Sequence, residues 1–568
     1  MNPRHLYSEY KFFSSLLGHK IYLILLFSFL ASVIETFGLI LFIPDILNIS
    51  FNNPVDPNTP LRTVLNFFEI NYENNFIELL TLLVFFYISK AFFLFYAYFY
   101  IGSSRASLLA KIRLFLYKSL RETSFTDFIK EERSNIVSRL KEQSTETVVA
   151  FTCFIKTSNS LLNVIIYFMG AILLSPFLGT LGLITGVIIL ILFKRLNENL
   201  RIYSRRNVKY HANFTKYILQ FINAFKYLKS TNQEEKFVKR SNTLIGDSQK
   251  IENIYAKYNA IIASSKEPIA FLIFLFLFFF GFLNDMASGL SFGVLMLFYK
   301  ASNNVVILQS QIQQYLQLNG SLNNIIREFK KTKKLRNKFN SNNQNTKFKY
   351  ISFENVTYKY PNTTKQIVIP NFRLTYPGLY VIKGPSGSGK STLFNLLSKN
   401  LLPSSGNIFI DSEELSKINE NYWRSNIGYV PQNQVIFDGT FAQNISMKFD
   451  GNITNDDIKK IRDVAADVDI DSLIQSLPNG YDTMIGDYSF EISGGQIQRL
   501  MLARELYRSS KILILDEPTS ALDKLSKLKI IKVLENIQSK CLVIIVTHNP
   551  EDFSSQKLTI ELKDSNDN

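Results

Sequence analysis

Long apolar runs fill the chain from residue 20 to about residue 300 and then stop. A helix needs about 20 apolar residues to cross the hydrocarbon core of a bilayer. Between these runs the pattern stays helical but is polar, so the two long connections are expected to continue the helices beyond the membrane. The pattern predicts an all-α domain with six membrane spans, at about 21–47, 77–101, 157–174, 178–194, 262–283 and 288–308.

The pattern changes beyond residue 350. Alternating apolar and polar positions, as in ISFENVTYKY at 351–360, predict strands, and helical patterns lie between them. An alternation of strands and helices is typical of an α/β domain. The preceding stretch at 326–350 is basic and rich in asparagine, which favours a linker. We therefore predict a transmembrane domain at 1–325, a linker at 326–350 and an α/β domain at 351–568.

The net charge is explained by topology. The 568 residues include 63 Lys and Arg against 47 Asp and Glu, a formal balance of +16. Most basic residues of the first half lie between spans two and three and between spans four and five, whereas Arg62 is the one cation expected in the opposite loops. The positive-inside rule then predicts cytoplasmic termini and a cytoplasmic α/β domain. Nucleic-acid binding is not expected, because these cations mark orientation and flank anionic lipid headgroups.

A glycine-rich loop follows a predicted strand at 379–382 and precedes a predicted helix. Backbone N–H groups of such a loop surround phosphate oxygens, and the helix N-terminus adds partial positive charge. The lysine would reach the β- and γ-phosphates of ATP, and the serine after it would bind Mg²⁺. The loop comprises Gly384, Pro385, Ser386, Gly387, Ser388, Gly389, Lys390 and Ser391, followed by Thr392.

A second motif, KILILDE at 511–517, predicts a buried strand that presents two carboxylates at its end. Downstream of a phosphate loop, Asp516 would hold Mg²⁺ and Glu517 would polarise the attacking water. The two motifs together predict an ATPase.

The sequence resembles the ATP-binding cassette (ABC) transporters at this point, and the segment ISGGQ at 492–496 resembles their signature motif. The resemblance implies that Gln432 senses Mg²⁺ and the γ-phosphate, that Tyr360 stacks on adenine and that His548 contacts the γ-phosphate. It places Asp523 in the loop after the two carboxylates. In this family the signature completes the nucleotide site of a second copy, and the residues that would do so are Ser493, Gly494, Gly495 and Gln496.

The resemblance extends to the six-span domain, which is similar to that of exporters that are half-transporters. One phosphate loop and one signature imply a homodimer with two working sites, and a heterodimer with another chain is the alternative. The segments 123–140 and 218–235 resemble the coupling helices through which the ATPase moves the spans.

Charged residues within the spans indicate what is carried, because charges in a membrane are costly and are often functional. They are the acids Glu35 and Glu267 and the lysines Lys90, Lys266 and Lys300. One interpretation pairs the lysines with the acids across helices. The other is a basic lining for an anionic group such as a lipid pyrophosphate. The span-one segment VIETFG, with basic residues in spans two, five and six, resembles the bacterial flippase for lipid-linked oligosaccharides of protein glycosylation, in which the cations are arginines.

Two transport functions are therefore open. The first is an ATP-driven flippase or exporter of an anionic, lipid-linked saccharide or other amphiphile, and the second is an exporter of peptide, toxin or drug. The first implies contact with membrane lipids and a multi-pass protein of a bacterial inner membrane.

Overall fold

The computed structural model describes residues 3–50, 76–283, 289–336, 348–360, 366–385, 387–486, 492–519, 522–553 and 558–562. The chain divides into two compact units. The first comprises Met1–Thr123 and Ile129–Lys338, and the second comprises Ser124–Phe128 and Phe339–Asn568. The first unit is helical and the second contains sheets and helices, which confirms the predicted fold class of an all-α domain followed by an α/β domain.

The first unit is built from long helices. A π-helical turn at Arg139–Gln143 joins two of them, and the last helix runs into the segment expected to be a linker. In chain order the helices are α1 (Pro3–Leu17), α2 (Lys20–Ser50), α3 (Phe76–Glu122), α4 (Phe125–Lys130, which begins in the second unit), α5 (Arg133–Ser138), α6 (Ser144–Leu174), α7 (Pro176–Asn223), α8 (Phe225–Thr231), α9 (Glu234–Leu283) and α10 (Gly289–Arg336).

Three stretches of the described chain are long and apolar enough to cross a membrane, namely Lys20–Phe42, Leu79–Glu122 and Arg133–Leu174. They overlap the first three predicted spans, at residues 21–42, 79–101 and 157–174. The other three predicted spans lie on α7, α9 and α10, where many side chains are outside the described residues, and they stay predictions.

Helix α3 carries an apolar face that the other described residues leave exposed. Only 6% of its most apolar window is buried. Its exposed side chains recur three or four residues apart, the spacing of one helix face. They include Phe85, Ile88, Phe92, Phe95 and Phe99. A face of this composition suits lipid tails.

The core of the first unit joins α1, α2, α3, α6 and α10. Phe13, Ile21, Leu108, Phe151 and Leu322 meet there and are all fully buried. Burying a side chain of this size stabilises a fold by about 1.5–3 kcal/mol. These contacts tie together helices that are distant in the sequence.

The second unit contains two larger sheets and a two-stranded one. The antiparallel sheet has the order β2-β1-β5-β6, with β3 also paired to β1, and the parallel sheet has the order β12-β4-β11-β10-β7. Strands β8 and β9 form the small sheet. The strands are β1 (Tyr350–Lys359), β2 (Gln366–Val368), β3 (Phe372–Thr375), β4 (Gly378–Lys383), β5 (Ser405–Ile410), β6 (Glu413–Glu414), β7 (Ile427–Val430), β8 (Gly439–Thr440), β9 (Met484–Ile485), β10 (Ile512–Asp516), β11 (Leu542–Val546) and β12 (Leu558–Glu561).

Helices cover the parallel sheet, and its central strands are almost wholly apolar because both faces are buried. The helices are α11 (Lys390–Leu397), α12 (Glu420–Ser425), α13 (Phe441–Ser446), α14 (Asn455–Asp467), α15 (Asp471–Ser476), α16 (Gly494–Arg508) and α17 (Lys524–Ile537).

The second unit is discontinuous in sequence. It includes Ser124–Phe128, which lies more than two hundred residues before its other strands and helices. Phe125 packs against the apolar cluster formed by residues such as Phe348 and Trp423. This short piece belongs to the first segment predicted to resemble a coupling helix.

Candidate functional site

The glycine-rich loop connects β4 to α11, as the sequence predicts. Gly387 and Gly389 have φ angles of 84° and 101°, a region that favours glycine. A Cβ atom on Gly389 would overlap Cγ2 of Ile367. The loop therefore needs glycine at position 389 both for its backbone angle and for space. Ser386 lies outside the described residues.

The side chains of this loop are suited to phosphate. Lys390 Nζ donates to the carbonyl oxygens of Gly384, at 2.6 Å, and Pro385, at 3.0 Å. The buried hydroxyl of Ser388 has no hydrogen-bond partner among the described residues. An ammonium group, a buried hydroxyl and the N-terminus of α11 together fit an anionic phosphate.

Strand order brings the second motif to the same edge. Strands β4, β11 and β10 are parallel neighbours, so their carboxyl ends meet. Asp516 ends β10, and burial raises the pKa of its carboxyl while the charge of Lys390 lowers it. The oxygen atoms of Ser391 and Asp516 are ligands of the kind that Mg²⁺ prefers.

Glu517 has an unusual backbone conformation. Its φ angle is 51°, in the left-handed region that non-glycine residues seldom adopt. Its N–H donates to the carbonyl of Val546 at 2.9 Å, and its own carbonyl accepts a bond of 2.8 Å from the Gln498 side chain. These two bonds hold the residue in a conformation that costs about 1–3 kcal/mol.

The Glu517 carboxylate faces His548. Its Oε1 lies 3.7 Å from His548 Nε2, and the side chain of Glu517 is 13% exposed while that of His548 is 65% exposed. Burial raises the pKa of the Glu517 carboxyl, and the nearby histidine lowers it. A carboxylate with a raised pKa is a better proton acceptor than an ordinary one.

The adenine-stacking candidate touches the phosphate-loop helix. The Tyr360 hydroxyl and Thr392 Oγ1 lie 3.1 Å apart and share a hydrogen bond. The Tyr360 ring also packs edge-on against Tyr358, with ring centroids 4.9 Å apart. Gln432 follows β7 on an exposed loop, at the next strand beyond β10.

The signature residues begin a helix. The Ser493 hydroxyl caps α16 by accepting from the N–H of Gln496, and the Gln496 side chain accepts from the N–H of Ser493. Gly494 and Gly495 form the first turn. Asp523 similarly caps α17 through the N–H groups of Leu525 and Ser526. Ser493 and Asp523 thus each stabilise a helix N-terminus within the single chain.

The first unit contains a charged cluster between helices. Lys90 of α3 and Lys300 of α10 lie 2.8 Å and 2.9 Å from the same oxygen, Oε1, of Glu35 on α2. Tyr167 of α6 donates to the other oxygen at 2.6 Å. The pairing of lysine with acid across helices, one of the two interpretations from sequence, is therefore present for both lysines. The Lys266 side chain lies outside the described residues.

Sequence reasoning missed two residues of these sites. Tyr167 gave no signal, because a tyrosine in an apolar helix is ordinary. Gln498, which donates to the Glu517 carbonyl, lies two residues beyond the signature segment, and its local pattern does not distinguish it from other polar helix residues.

Family comparisons agree with this architecture. The sequence model described as "ABC transporter transmembrane region" matches residues 21–308, and the one described as "ABC transporter" matches residues 369–520. A solved structure of a bacterial Atm1-family ABC exporter with ATP bound has a TM-score of 0.76 at 16% identity, covering 97% of this chain and 94% of that chain. At this identity the likeness shows the fold.

Curated relatives match a smaller part of this chain than the solved structure does. ABC transporter B family member 29, chloroplastic, of Arabidopsis thaliana is 43% identical over 168 residues, which are 30% of this chain and 26% of that protein. The multidrug resistance ABC transporter ATP-binding and permease protein of Lactococcus lactis strain IL1403 is 33% identical over 200 residues, which are 35% of this chain and 33% of that protein. The matched part thus spans a third or less of these relatives.

Proposed function

This chain belongs to the ABC transporters, and from that premise we propose that it hydrolyses ATP to move an anionic, lipid-linked amphiphile, such as a lipid-linked saccharide, across a membrane. The observation that carries the ATPase half is the meeting of Lys390, Asp516, Glu517 and His548 at one edge of the parallel sheet. The observation that supports the substrate is a pair of lysines, Lys90 and Lys300, on predicted membrane spans.

Each residue of the nucleotide site has a proposed role. The phosphate loop and Lys390 hold the phosphates, and Lys390 exchanges its bonds to two loop carbonyls for phosphate oxygens. Glu517 accepts a proton from the attacking water, and His548 beside it contacts the γ-phosphate. Tyr360 stacks on adenine. Ser391, Gln432 and Asp516 would hold Mg²⁺, which would offset phosphate charge when bound.

A second copy completes the site in this proposal. The segment Ser493–Gln496 presents a capped helix N-terminus, and such a terminus attracts anions. By resemblance it lies against the phosphate of the partner copy, and Asp523 lies in the loop between the two sites. We propose that two copies of the chain form a homodimer. The ATPase units of this homodimer face the cytoplasm of a bacterial cell.

Translocation by purified protein in phosphatidylcholine vesicles tests the proposal. We expect ATP-dependent movement of a fluorescent lipid-linked saccharide, and none in the Glu517→Gln variant. Glu561→Gln is the matched control, because Glu561 ends a strand of the same sheet but is exposed. Movement that does not depend on ATP would contradict the proposal.

The competing substrate class is peptide, toxin or drug, and the name of the Lactococcus lactis relative fits a drug. The same vesicles distinguish the two classes. Transport of labelled peptides or cationic drugs, without transport of lipid-linked saccharides, would replace the proposed substrate and leave the ATPase proposal in place.

A further inference from the structure

We propose that Glu35 is an internal counter-ion that the anionic group of a substrate displaces from Lys90 and Lys300. This inference rests on the proposed function and adds a step at the same cluster. It follows from the charge balance, the burial and the hydrogen bonds of four residues on four helices.

The cluster carries a charge surplus. Two lysines share one carboxylate oxygen, so the formal charge of the three groups is +1. Among the described residues, Glu35 is the acid that contacts both ammonium groups, and one carboxylate cannot neutralise two cations. An unbalanced charge within a membrane is costly. A second anion would remove the surplus.

Burial is unequal within the cluster. The Glu35 side chain is 5% exposed, whereas those of Lys90 and Lys300 are 20% and 29% exposed. An arriving anion would therefore reach the ammonium groups before it reached the carboxylate. Each ammonium has three N–H donors, and its bond to Glu35 uses one of them.

The carboxylate has a second anchor. Its Oε2 accepts from the hydroxyl of Tyr167, which is 2% exposed. If the lysines turn towards a phosphate, Glu35 keeps this bond and does not become a buried charge without a partner. Lysine suits such an exchange because it binds phosphate as a point charge on a flexible stem.

The exchange would also loosen contacts between helices. In the absence of substrate, Glu35 connects α2 with α3 and α10 through the lysines and with α6 through Tyr167. A substrate anion would take over the two lysine bonds and remove these polar links of α2 to α3 and α10, while the apolar contacts between the helices remain. Substrate binding would thereby act on the helix arrangement that ATP also acts on.

The test uses the full chain in nanodiscs of phosphatidylcholine and measures stimulation of ATP hydrolysis. Dodecyl phosphate is the anionic probe, and dodecylphosphocholine is the matched zwitterionic probe. In Glu35→Gln, which keeps the shape and the acceptor for Tyr167, we expect half-saturation by dodecyl phosphate at about tenfold lower concentration. Half-saturation by dodecylphosphocholine should not change.

Glu328→Gln is the control variant. Glu328 lies on the same helix as Lys300, α10, and forms a partly buried ion pair with Arg139 at 2.7 Å, outside the cluster. It should leave half-saturation by both probes unchanged. An equal shift for both probes in Glu35→Gln, or no shift in a protein that unfolds like the original, would overturn the inference.

Lysine variants keep the test valid if Glu35→Gln does not fold. In Lys90→Gln the remaining lysine is balanced by Glu35, so the preference for dodecyl phosphate over dodecylphosphocholine should be lost. A retained preference would overturn the inference. If dodecyl phosphate does not stimulate the unaltered protein at all, the anionic substrate class of the proposed function fails together with the inference. If it stimulates the unaltered protein but the variants do not behave as expected, the inference alone fails.

Discussion

His548 Nε2 lies 3.7 Å from Oε1 of Glu517, across the adjacent ends of β11 and β10. The pair joins an exposed imidazole to a carboxylate that is mostly buried. Because the two groups are so close, the charge of the imidazole lowers the pKa of the Glu517 carboxyl.

The acid limb of the ATPase pH profile should therefore depend on His548. If Glu517 acts as the base, the rate falls as pH drops through its pKa. Burial raises that pKa and the histidine lowers it, so His548→Gln should raise it further and move the acid limb to higher pH. Steady-state kcat measured against pH checks the shift. His211→Gln, on α7, is the control, and an unmoved acid limb would argue against electrostatic coupling of the pair.

Removing the base should stop hydrolysis without preventing binding. In Glu517→Gln we expect kcat to fall about 100-fold or more, the range assigned to a general base, because the amide cannot accept the proton. Binding of fluorescent ATP should persist. Single-turnover hydrolysis measures the step directly, and Glu561→Gln should behave like the original protein. Hydrolysis at the original rate would remove Glu517 from its proposed role.

The hydrogen bond from the Gln498 side chain to the Glu517 carbonyl should help to position the Glu517 carboxylate. Gln498→Leu removes the donor that holds Glu517 in its left-handed conformation. A lost hydrogen bond of about 1.4 kcal/mol corresponds to about a tenfold lower kcat, with the KM for ATP little changed. Gln475→Leu is the control, since Gln475 donates to Asp471 on α15. A raised KM with normal kcat would instead indicate a role in nucleotide binding.

The phosphate loop should not tolerate a side chain at Gly389. Gly389→Ala places a Cβ atom against Ile367 and forces alanine to a φ of 101°. We expect ATP binding to be lost, as measured by equilibrium titration. Gly451→Ala is a matched control, because its φ is 88° but nothing lies within 4 Å. The control should cost about 1–2 kcal/mol of stability and leave ATP binding intact.

Local patterns predicted the fold class and identified the segments that form the candidate nucleotide site. The phosphate loop and the strand ending in Asp516 are contiguous in sequence, so composition and spacing were sufficient. The order of β4, β11 and β10 depends on pairing between distant segments and was not predicted. The left-handed backbone of Glu517 was also not predictable, because glutamate gives no local sign of it.

The contacts within the charged cluster were likewise not predictable from local sequence. Charge within apolar helices identified Glu35, Lys90 and Lys300 individually. Their convergence on one carboxylate oxygen depends on how α2, α3 and α10 pack, which no periodicity encodes. Tyr167 is separated from Glu35 by 132 residues and gave no sign of its bond.

The discontinuity of the second unit affects how the ATPase can be produced in isolation. A fragment cloned from residue 339 onwards would lack Phe125, one of the side chains that pack against its apolar core. The apolar surface that Phe125 normally covers would then be exposed to solvent. This exposure would favour self-association of the fragment. A synthetic peptide spanning residues 124–130, added in trans, should restore solubility to such a fragment.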